Sequence, residues 1–183
     1  DVHNLRHNNV VLDHCREAAN RSGRVYAVMY DLSGLGANRI DEVTADWQQL
    51  RTRMRVTADP AYLRHRGRPV VVVWGVGFGK DRAYTVAECN HLVRQLKADG
   101  CTVMLGVPTG WRTLDRDSVA DPALHAVVQL ADVVSPWTVG RYTSPAEASQ
   151  HCRDVWEPDI AWCRERGLDY LPVAFPGFSW GNM

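Results

Sequence analysis

Aromatic and polar side chains collect at five points of this sequence, each at the end of an apolar run. The aromatic members of this set are Tyr30, Trp74, Phe78, Trp111, Trp137, Tyr142, Phe178 and Trp180. Such rings can stack on the apolar face of a sugar, while Asp31, Arg112, Arg141 and Asn182 can hydrogen-bond to the hydroxyl groups around its rim. We therefore predict a cleft for a neutral polyhydroxylated ligand, with packing of the same rings in a core as the alternative.

Carboxyl groups are the second candidates for chemistry, because glycoside hydrolysis requires a positioned pair of them. Asp31 stands at the end of the first apolar run and is a weak candidate for a catalytic carboxylate. It is equally suited to organise its own loop by accepting a backbone hydrogen bond. Asp115 and Asp117 follow the third run, either as rim residues or as solvated loop acids. Asp132 precedes the fourth run, so we expect it at the opposite, structural edge of the fold.

Other common kinds of site are poorly matched. Gly75, Gly77 and Gly79 follow an apolar run, but Lys80 stands where a dinucleotide-binding fingerprint requires a third glycine. The sequence contains no G-x-S-x-G nucleophile elbow. Its histidines and five cysteines lack the spacing of a zinc site, and the widely separated cysteines are more typical of small apolar core residues than of a disulfide framework. We therefore expect no cofactor and no metal.

Composition limits the class of partner. The 183 residues carry 21 basic and 21 acidic side chains in an interspersed pattern, so the chain lacks the basic surface typical of nucleic-acid binding. No stretch reaches the roughly 20 apolar residues of a membrane-spanning helix, and the first residues, DVHNLRHNN, do not resemble a signal peptide. We expect an oligosaccharide or glycoside as ligand, and neither nucleic acid nor membrane as partner.

The apolar runs alternate with helix signals. The runs extend over Val25–Gly34, Val70–Gly79, Thr102–Trp111, Val133–Tyr142 and Tyr170–Trp180, and each is predicted to begin with a buried parallel strand. Helices are predicted near residues 9–22, 41–55, 85–99, 121–131 and 145–166, with a further helical turn at Asp59–Leu63. Capping boxes at Thr85–Glu88 and Ser144–Glu147 mark two helix starts, and Gly23, Gly100 and Gly167 mark three helix ends.

This alternation predicts an α/β fold with a parallel sheet in a single domain over residues 1–183. Either an open doubly wound sheet or part of a (β/α)₈ barrel agrees with the pattern. The chain begins with a helix and ends directly after a strand, and a complete barrel needs about 250 residues. We therefore favour a partial barrel of five βα units, whose two outer strands would be exposed edges that promote self-association.

Five long motifs resemble a known group of proteins. They are VMYDLSGL, PAYLRHRGRPVVVVWGVGF, VMLGVPTGWR, DVVSPWTVGRY and AWCRERGLDYLPVAFPGFSW. Over nearly the whole chain they resemble bacterial proteins labelled as xylosidases or arabinosidases, which are related to the endo-α-mannosidases of glycoside hydrolase family 99 and to family 71. The resemblance implies a TIM-barrel-type glycoside hydrolase whose third to seventh strands correspond to the five strands of this chain.

The resemblance also implies a set of site residues. The sugar cleft would be lined by Tyr30, Asp31, Trp74, Trp111, Arg112, Trp137, Arg141 and Trp180. The parent protein would be a secreted or periplasmic retaining glycosidase in which one carboxylate assists attack by the sugar's own 2-hydroxyl. The catalytic glutamates of that group belong to a motif near the last barrel strand, which this sequence does not contain. A non-catalytic carbohydrate-binding or scaffold protein, or an unrelated open-sheet enzyme, are the alternatives.

Overall fold

The computed structural model describes residues 5–79 and 82–174, with side chains from residue 8 onward. The described residues form six strands and six α-helices, in which the predicted alternation is present with one added strand, β2, and with the last predicted helix divided into α5 and α6. The strands are β1 (Val28–Asp31), β2 (Arg64–His65), β3 (Arg68–Trp74), β4 (Thr102–Val107), β5 (Val133–Pro136) and β6 (Asp169–Tyr170). The helices are α1 (Leu5–Ser22), α2 (Ile40–Thr52), α3 (Val86–Ala98), α4 (Ala123–Val128), α5 (Pro145–His151) and α6 (Glu157–Glu165).

The sheet is parallel except for β2, and its strands follow the chain in order. The spatial order is β1-β3-β4-β5-β6, with β2 attached antiparallel to β3. Helices α2, α3 and α4 pack side by side. Crossovers between parallel strands are right-handed, so a sheet whose strands follow the chain in order carries its helices on one face. The predicted α/β class with a parallel sheet is thereby confirmed.

The main hydrophobic core lies between the sheet and these helices. Strand register aligns Tyr30, Val73, Leu105, Val134 and Tyr170 in one row across the sheet. All but Tyr170, which packs against it, belong to the buried core, which also includes the apolar side chains of α2, α3 and α4. Because side chains alternate between faces along a strand, the neighbouring row lies on the other face of the sheet.

Most helix boundaries agree with the predicted ones. The Thr85 side chain and Glu88 form a complete capping box at the start of α3. Gly23, Gly100 and Gly167 follow α1, α3 and α6 with φ values of 66°, 81° and 70°, the left-handed conformation expected of glycine at a helix end. These short, well-defined helix ends bring each helix directly back to the next strand.

Four local features differ from the prediction. Helix α4 is shorter than residues 121–131, and the turn expected at Asp59–Leu63 is a 3₁₀ helix at Val56–Ala58. The last predicted helix contains a π-helical segment at Cys152–Trp156 between α5 and α6. Pro158 follows it, and since proline has no N–H to donate to the previous turn, a wider turn accommodates it. Strand β2 forms a hairpin with β3 that the sequence pattern did not predict.

Candidate functional site

The carboxyl ends of the strands form the edge at which the site was predicted. Register places Asp31, Trp74, Gly106 and Ser135 side by side in the row opposite the helix-packed face. The Trp74 indole lies across Gly106, and a Cβ at position 106 would overlap the ring atom Cε3 of Trp74. The absence of a side chain at Gly106 therefore allows the indole to lie over β4.

Three aromatic rings meet at this edge. The Trp74 ring lies 5.3 Å from the ring of Trp137 in an edge-to-face arrangement and 6.2 Å from the ring of Phe78. Trp137 follows β5 and is 38% exposed, although large aromatic side chains are usually buried. We call Trp74, Phe78 and Trp137 the aromatic cluster. All three belong to the aromatic set expected from the sequence to line a cleft, the resemblance implies the same for Trp74 and Trp137, and the structure brings the three together.

Two loops are joined beside the aromatic cluster. Phe78, in the loop after β3, forms an antiparallel bridge with Ser118, in the loop after β4. The Gly79 amide donates to the Asp117 carbonyl over 2.8 Å, and the Val119 amide donates to the Gly77 carbonyl over 2.9 Å. These backbone hydrogen bonds fix the position of Phe78 relative to the loop that carries Asp117.

Asp117 organises the polar part of the edge. Its carboxylate accepts hydrogen bonds from the backbone amides of Thr109 and Gly110, over 3.1 and 3.0 Å, and pairs with the Arg141 guanidinium. Arg141 Nε also donates to Thr109 Oγ1 over 3.1 Å. Arg141, a predicted site residue, is therefore held in place by groups from the loop after β4.

A pocket of about 390 Å³ opens next to this network. Its lining consists of Phe78, Arg82, Arg116, Asp117 and Arg141. This volume lies in the range of sites that hold small molecules, and it suits a group of about the size of one sugar ring. We call it the arginine pocket. Its residues come from the loops after β3, β4 and β5, so the geometry of the edge depends on all three.

Tyr30 lies on the helix-packed face and not at this edge. Its side chain is buried, and its hydroxyl donates to Asp46 Oδ2 over 2.7 Å. Burial raises the pKa of Tyr30 well above its ordinary value, and the nearby Asp46 carboxylate raises it further. The hydroxyl is thus a neutral donor that joins β1 to α2.

Trp111 and Arg112 also contact the helix layer. Trp111 Nε1 donates to Asp159 Oδ2 over 3.0 Å and Arg112 Nε donates to Asp159 Oδ1 over 2.7 Å. The Trp111 ring is fully buried and packs edge-to-face on Trp162 at 4.8 Å. Burial raises the pKa of Asp159, although the Arg112 charge and the hydrogen bonds oppose that shift. The network connects the loop after β4 to α6.

The carboxylates near the edge accept hydrogen bonds from nearby loop residues. Asp31 Oδ1 accepts a hydrogen bond from the Ser33 amide over 2.8 Å, which is the loop-organising role considered from the sequence. Asp115 Oδ1 accepts a hydrogen bond from Thr113 Oγ1 over 2.5 Å, two residues earlier in the same loop. Asp117 is paired as described above. Trp180, the last predicted cleft residue, lies outside the described residues.

Asp132 lies at the opposite edge, as predicted. It accepts hydrogen bonds from Arg68 Nη2, Lys97 Nζ and the Val103 amide over 2.6, 2.5 and 2.9 Å. Burial alone would raise the pKa of Asp132, but these hydrogen bonds and the two positive charges outweigh burial and lower it. Asp132 therefore joins β3, α3, β4 and β5 at the amino ends of the strands.

Three site residues were not singled out from the sequence. Arg82 and Arg116 lie in the loops that follow β3 and β4, and a search of those loops for cations, as well as for rings and acids, would have found them. Asp159 lies within the last helical stretch, where nothing in the sequence separates a buried acid from an exposed one.

Metal-binding and membrane-spanning features were also searched for in the described part of the chain. Residues 5–79 and 82–174 contain no group of three or more histidine, cysteine, aspartate or glutamate side chains placed to hold a metal ion. In the same residues, no helix combines the length and hydropathy needed to cross a membrane. No protein-family model, curated protein or solved structure matches the chain.

Proposed function

We propose that this chain is a segment of a glycoside hydrolase-type barrel and that the carboxyl edge of its sheet binds carbohydrate. Strand order supports the barrel part of the proposal. A doubly wound sheet reverses its strand order at a switch point, whereas β1, β3, β4, β5 and β6 lie in chain order without reversal. A barrel has that order around its circumference, with helices on the outside and the site at the carboxyl ends of the strands.

The aromatic cluster is the observation that carries the binding proposal. Trp74 and Trp137 meet on the face of the sheet opposite the packed helices, which corresponds to the inside of a barrel. An exposed indole at that place gives a ring face on which a sugar can stack. The polar groups of Arg141, Asp117 and Thr109 lie beside the rings and supply donors and acceptors for hydroxyl groups.

We also propose that the parent protein is a glycosidase that hydrolyses its ligand, and this part of the proposal rests on the motif resemblance. Among the described residues, the acids in the loops at this edge are Asp31, Asp115, Asp117 and Asp121, and each accepts a hydrogen bond from its loop or from the adjoining helix start. We infer that this segment contributes sugar binding and that the acid and base come from elsewhere in the parent protein. A non-catalytic carbohydrate-binding protein is the second candidate, because the same aromatic cluster would serve it.

The test is a binding titration followed by tryptophan fluorescence and calorimetry against a panel of xylo-, arabino- and manno-oligosaccharides. We expect at least one oligosaccharide to bind and Trp137→Ala to weaken that binding at least about tenfold, the order expected for loss of a stacked ring. Trp162→Phe is the control, because Trp162 packs on Trp111 in the helix layer. Absence of binding across the panel, or an equal effect of the two substitutions, would contradict the proposal.

A further inference from the structure

The arginine pocket has an unbalanced charge. Of the five described residues that line it, three are arginines, Arg82, Arg116 and Arg141, and one is an acid, Asp117. The whole chain has a formal net charge of zero, so this positive charge is a local feature and not part of a generally basic surface. A pocket of this composition attracts an anion through both its charge and its N–H donors.

Asp117 is the one acid among the described residues of the pocket, and it is already paired. Asp117 pairs with Arg141 and accepts two backbone hydrogen bonds, so its charge is compensated within the protein. Arg82 and Arg116 make no hydrogen bond or ion pair with any described residue. Arg82 Nε is inaccessible to solvent and has no hydrogen-bond partner, while the Arg82 guanidinium lies 5.4 Å from the centre of the Phe78 ring. Counting partners in the described part of the chain alone, the guanidinium groups of Arg82 and Arg116 are therefore left to bind a ligand.

The loop that carries Arg116 has an uncommon backbone conformation. Leu114 and Arg116 have φ values of 59° and 56°, in the left-handed region that side chains other than glycine and asparagine rarely occupy. The loop is held in this conformation by a hydrogen bond of 2.7 Å from the Leu114 amide to the Gly110 carbonyl. Strained residues persist where the surroundings impose them, and they cluster at ligand-binding sites.

The positive charge of the pocket also affects the pKa of His151. Burial lowers the pKa of His151, and the positive charges of Arg116 and Arg141 lower it further, with Asp154 acting in the opposite direction. The charges of both arginines therefore act on the same place, the end of α5. An anion in the arginine pocket would relieve this concentration of positive charge.

We infer that the arginine pocket binds the acidic substituent of an acidic saccharide, a carboxylate or a sulfate, while the sugar ring contacts the aromatic cluster. The inference rests on the proposed carbohydrate binding and names the ligand class for that site. It adds an acidic substituent to the neutral ligand predicted from the sequence, because a sugar without one would bind more weakly and leave Arg82 and Arg116 without a counter-charge. Guanidinium groups match the planar carboxylate and the oxygens of sulfate through paired N–H donors.

The decisive probes differ only in charge. A hexuronate trisaccharide, its methyl ester, and a sulfated trisaccharide without carboxylates would be titrated by calorimetry at two salt concentrations. We expect an acidic form to bind at least about tenfold more tightly than the methyl ester, since charge-assisted hydrogen bonds are roughly twice as strong as neutral ones. Added salt should reduce that difference. The carboxylate and sulfate arms identify which acidic group the pocket prefers.

Arg82→Gln and Arg116→Gln should each remove most of the preference for the acid, with far-UV circular dichroism showing that the variants are folded. Arg53→Gln removes the same charge from an exposed position at the end of α2 and should leave the preference intact.

Equal binding of acid and ester by the wild type would overturn the inference while leaving carbohydrate binding in place. Loss of preference in Arg53→Gln as well would overturn it too. If no saccharide binds, the proposed function fails; in that case arginine-dependent binding of inorganic sulfate would support an anion site alone, and its absence would overturn both.

Discussion

Asp159 illustrates how a single buried acid can determine loop structure. It is 1% exposed on α6, where it accepts hydrogen bonds from Trp111 Nε1 and Arg112 Nε. Tyr170 approaches the same carboxylate from β6, at 3.4 Å. A buried carboxylate is tolerated only when it is paired, and removal of its charge leaves the partner cation without compensation. The loop after β4 and the last strand therefore depend on this one side chain.

We predict that Asp159→Asn lowers the free energy of unfolding by about 2 kcal/mol, because asparagine has one acceptor oxygen where Trp111 Nε1 and Arg112 Nε use two, so one of these donors faces an N–H₂ group. Urea unfolding followed by circular dichroism measures the change. Glu165→Gln is the matched control on the same helix, since Glu165 is exposed and pairs with Arg166 at the surface. It should change stability by no more than about 0.5 kcal/mol. Equal effects in the two variants would contradict the prediction.

Gly106 controls the aromatic cluster by having no side chain. We predict that Gly106→Ala displaces the Trp74 indole, because the new Cβ would occupy the position of the ring. Saccharide binding should weaken at least about tenfold, with about 1–3 kcal/mol of lost stability from overpacking. Near-ultraviolet circular dichroism reports the tryptophan environment, and calorimetry reports the binding.

Gly36→Ala is the control for that substitution. Its Cβ would meet only the flexible side chain of Arg39, at 3.2 Å, and the backbone there is not left-handed. An unchanged tryptophan signal in Gly106→Ala would show that the ring is not held as described.

Trp111 and Trp137 show when the placement of a single side chain can be predicted from the sequence and when it cannot. Both follow an apolar run, and both were expected in the cleft. Trp137 directly follows β5, so the alternation of the strand places it on the face opposite the helices. Trp111 lies four residues after β4, in a loop whose turns have no period, and it enters the helix layer. Strand periodicity could predict the first placement, but nothing comparable could predict the second.

At the scale of elements, the sequence predicted a helix boundary correctly where the signal is a hydrogen bond between residues of one helix. Thr85 and Glu88 satisfy each other and the first turn of α3, so their spacing alone defines the helix start. The β2–β3 hairpin depends instead on two consecutive left-handed residues, Arg66 and Gly67, with φ values of 50° and 79°. Arginine rarely adopts that conformation, so its presence in the turn concealed the hairpin from sequence analysis.

The ion network around Asp132 joins several elements and makes their stability depend on pH. Because the folded state lowers the pKa of Asp132, the carboxylate contributes stability above its ordinary pKa of about 3.9, and that stability is lost as the pH falls through the folded value. We predict that Asp132→Asn lowers the free energy of unfolding by about 2 kcal/mol at pH 7, because Lys97 and Arg68 lose their partner.

Urea titrations at pH 7 and at a series of values below pH 5 test this prediction. The difference between wild type and Asp132→Asn should shrink as the pH falls. Asp13→Asn removes an exposed acid of α1 and should have little effect at any of these pH values. A difference between wild type and Asp132→Asn that does not change with pH would contradict the proposed role of the charge.

On the scale of the whole molecule, the two edges of the sheet differ in chemistry. The amino edge carries Asp132 and its cations, which bind elements to one another. The carboxyl edge carries rings and arginines, some of which lack partners among the described residues. This division follows the general arrangement of βα folds, in which one end of the strands stabilises the fold and the other provides the site. The alternation of apolar runs and helix caps predicted this difference between the two edges. It did not predict the contacts of single buried residues such as Asp159.

Strand β1 lies at an edge of the described sheet. Among the described strands, β1 has β3 as its only neighbour in the sheet. Leu32 N–H donates to the Trp74 carbonyl, so the even-numbered residues of β1 bond to β3 and the amide and carbonyl of Met29 point outward. The Met29 side chain is 55% exposed, on the same face of the sheet as Trp74. An exposed edge strand with apolar side chains favours pairing with another strand.

We predict concentration-dependent self-association of this chain and its suppression by Met29→Lys. A lysine on an edge strand opposes pairing, because the approaching strand would have to desolvate its charge. Size-exclusion chromatography with light scattering measures the mass, and urea unfolding should show a stability within about 0.5 kcal/mol of wild type. Val10→Lys places the same charge on α1 at a residue that is 52% exposed, and it should leave association unchanged. A wild-type chain that stays monomeric at high concentration, or equal association of both variants, would show that this edge is protected in solution.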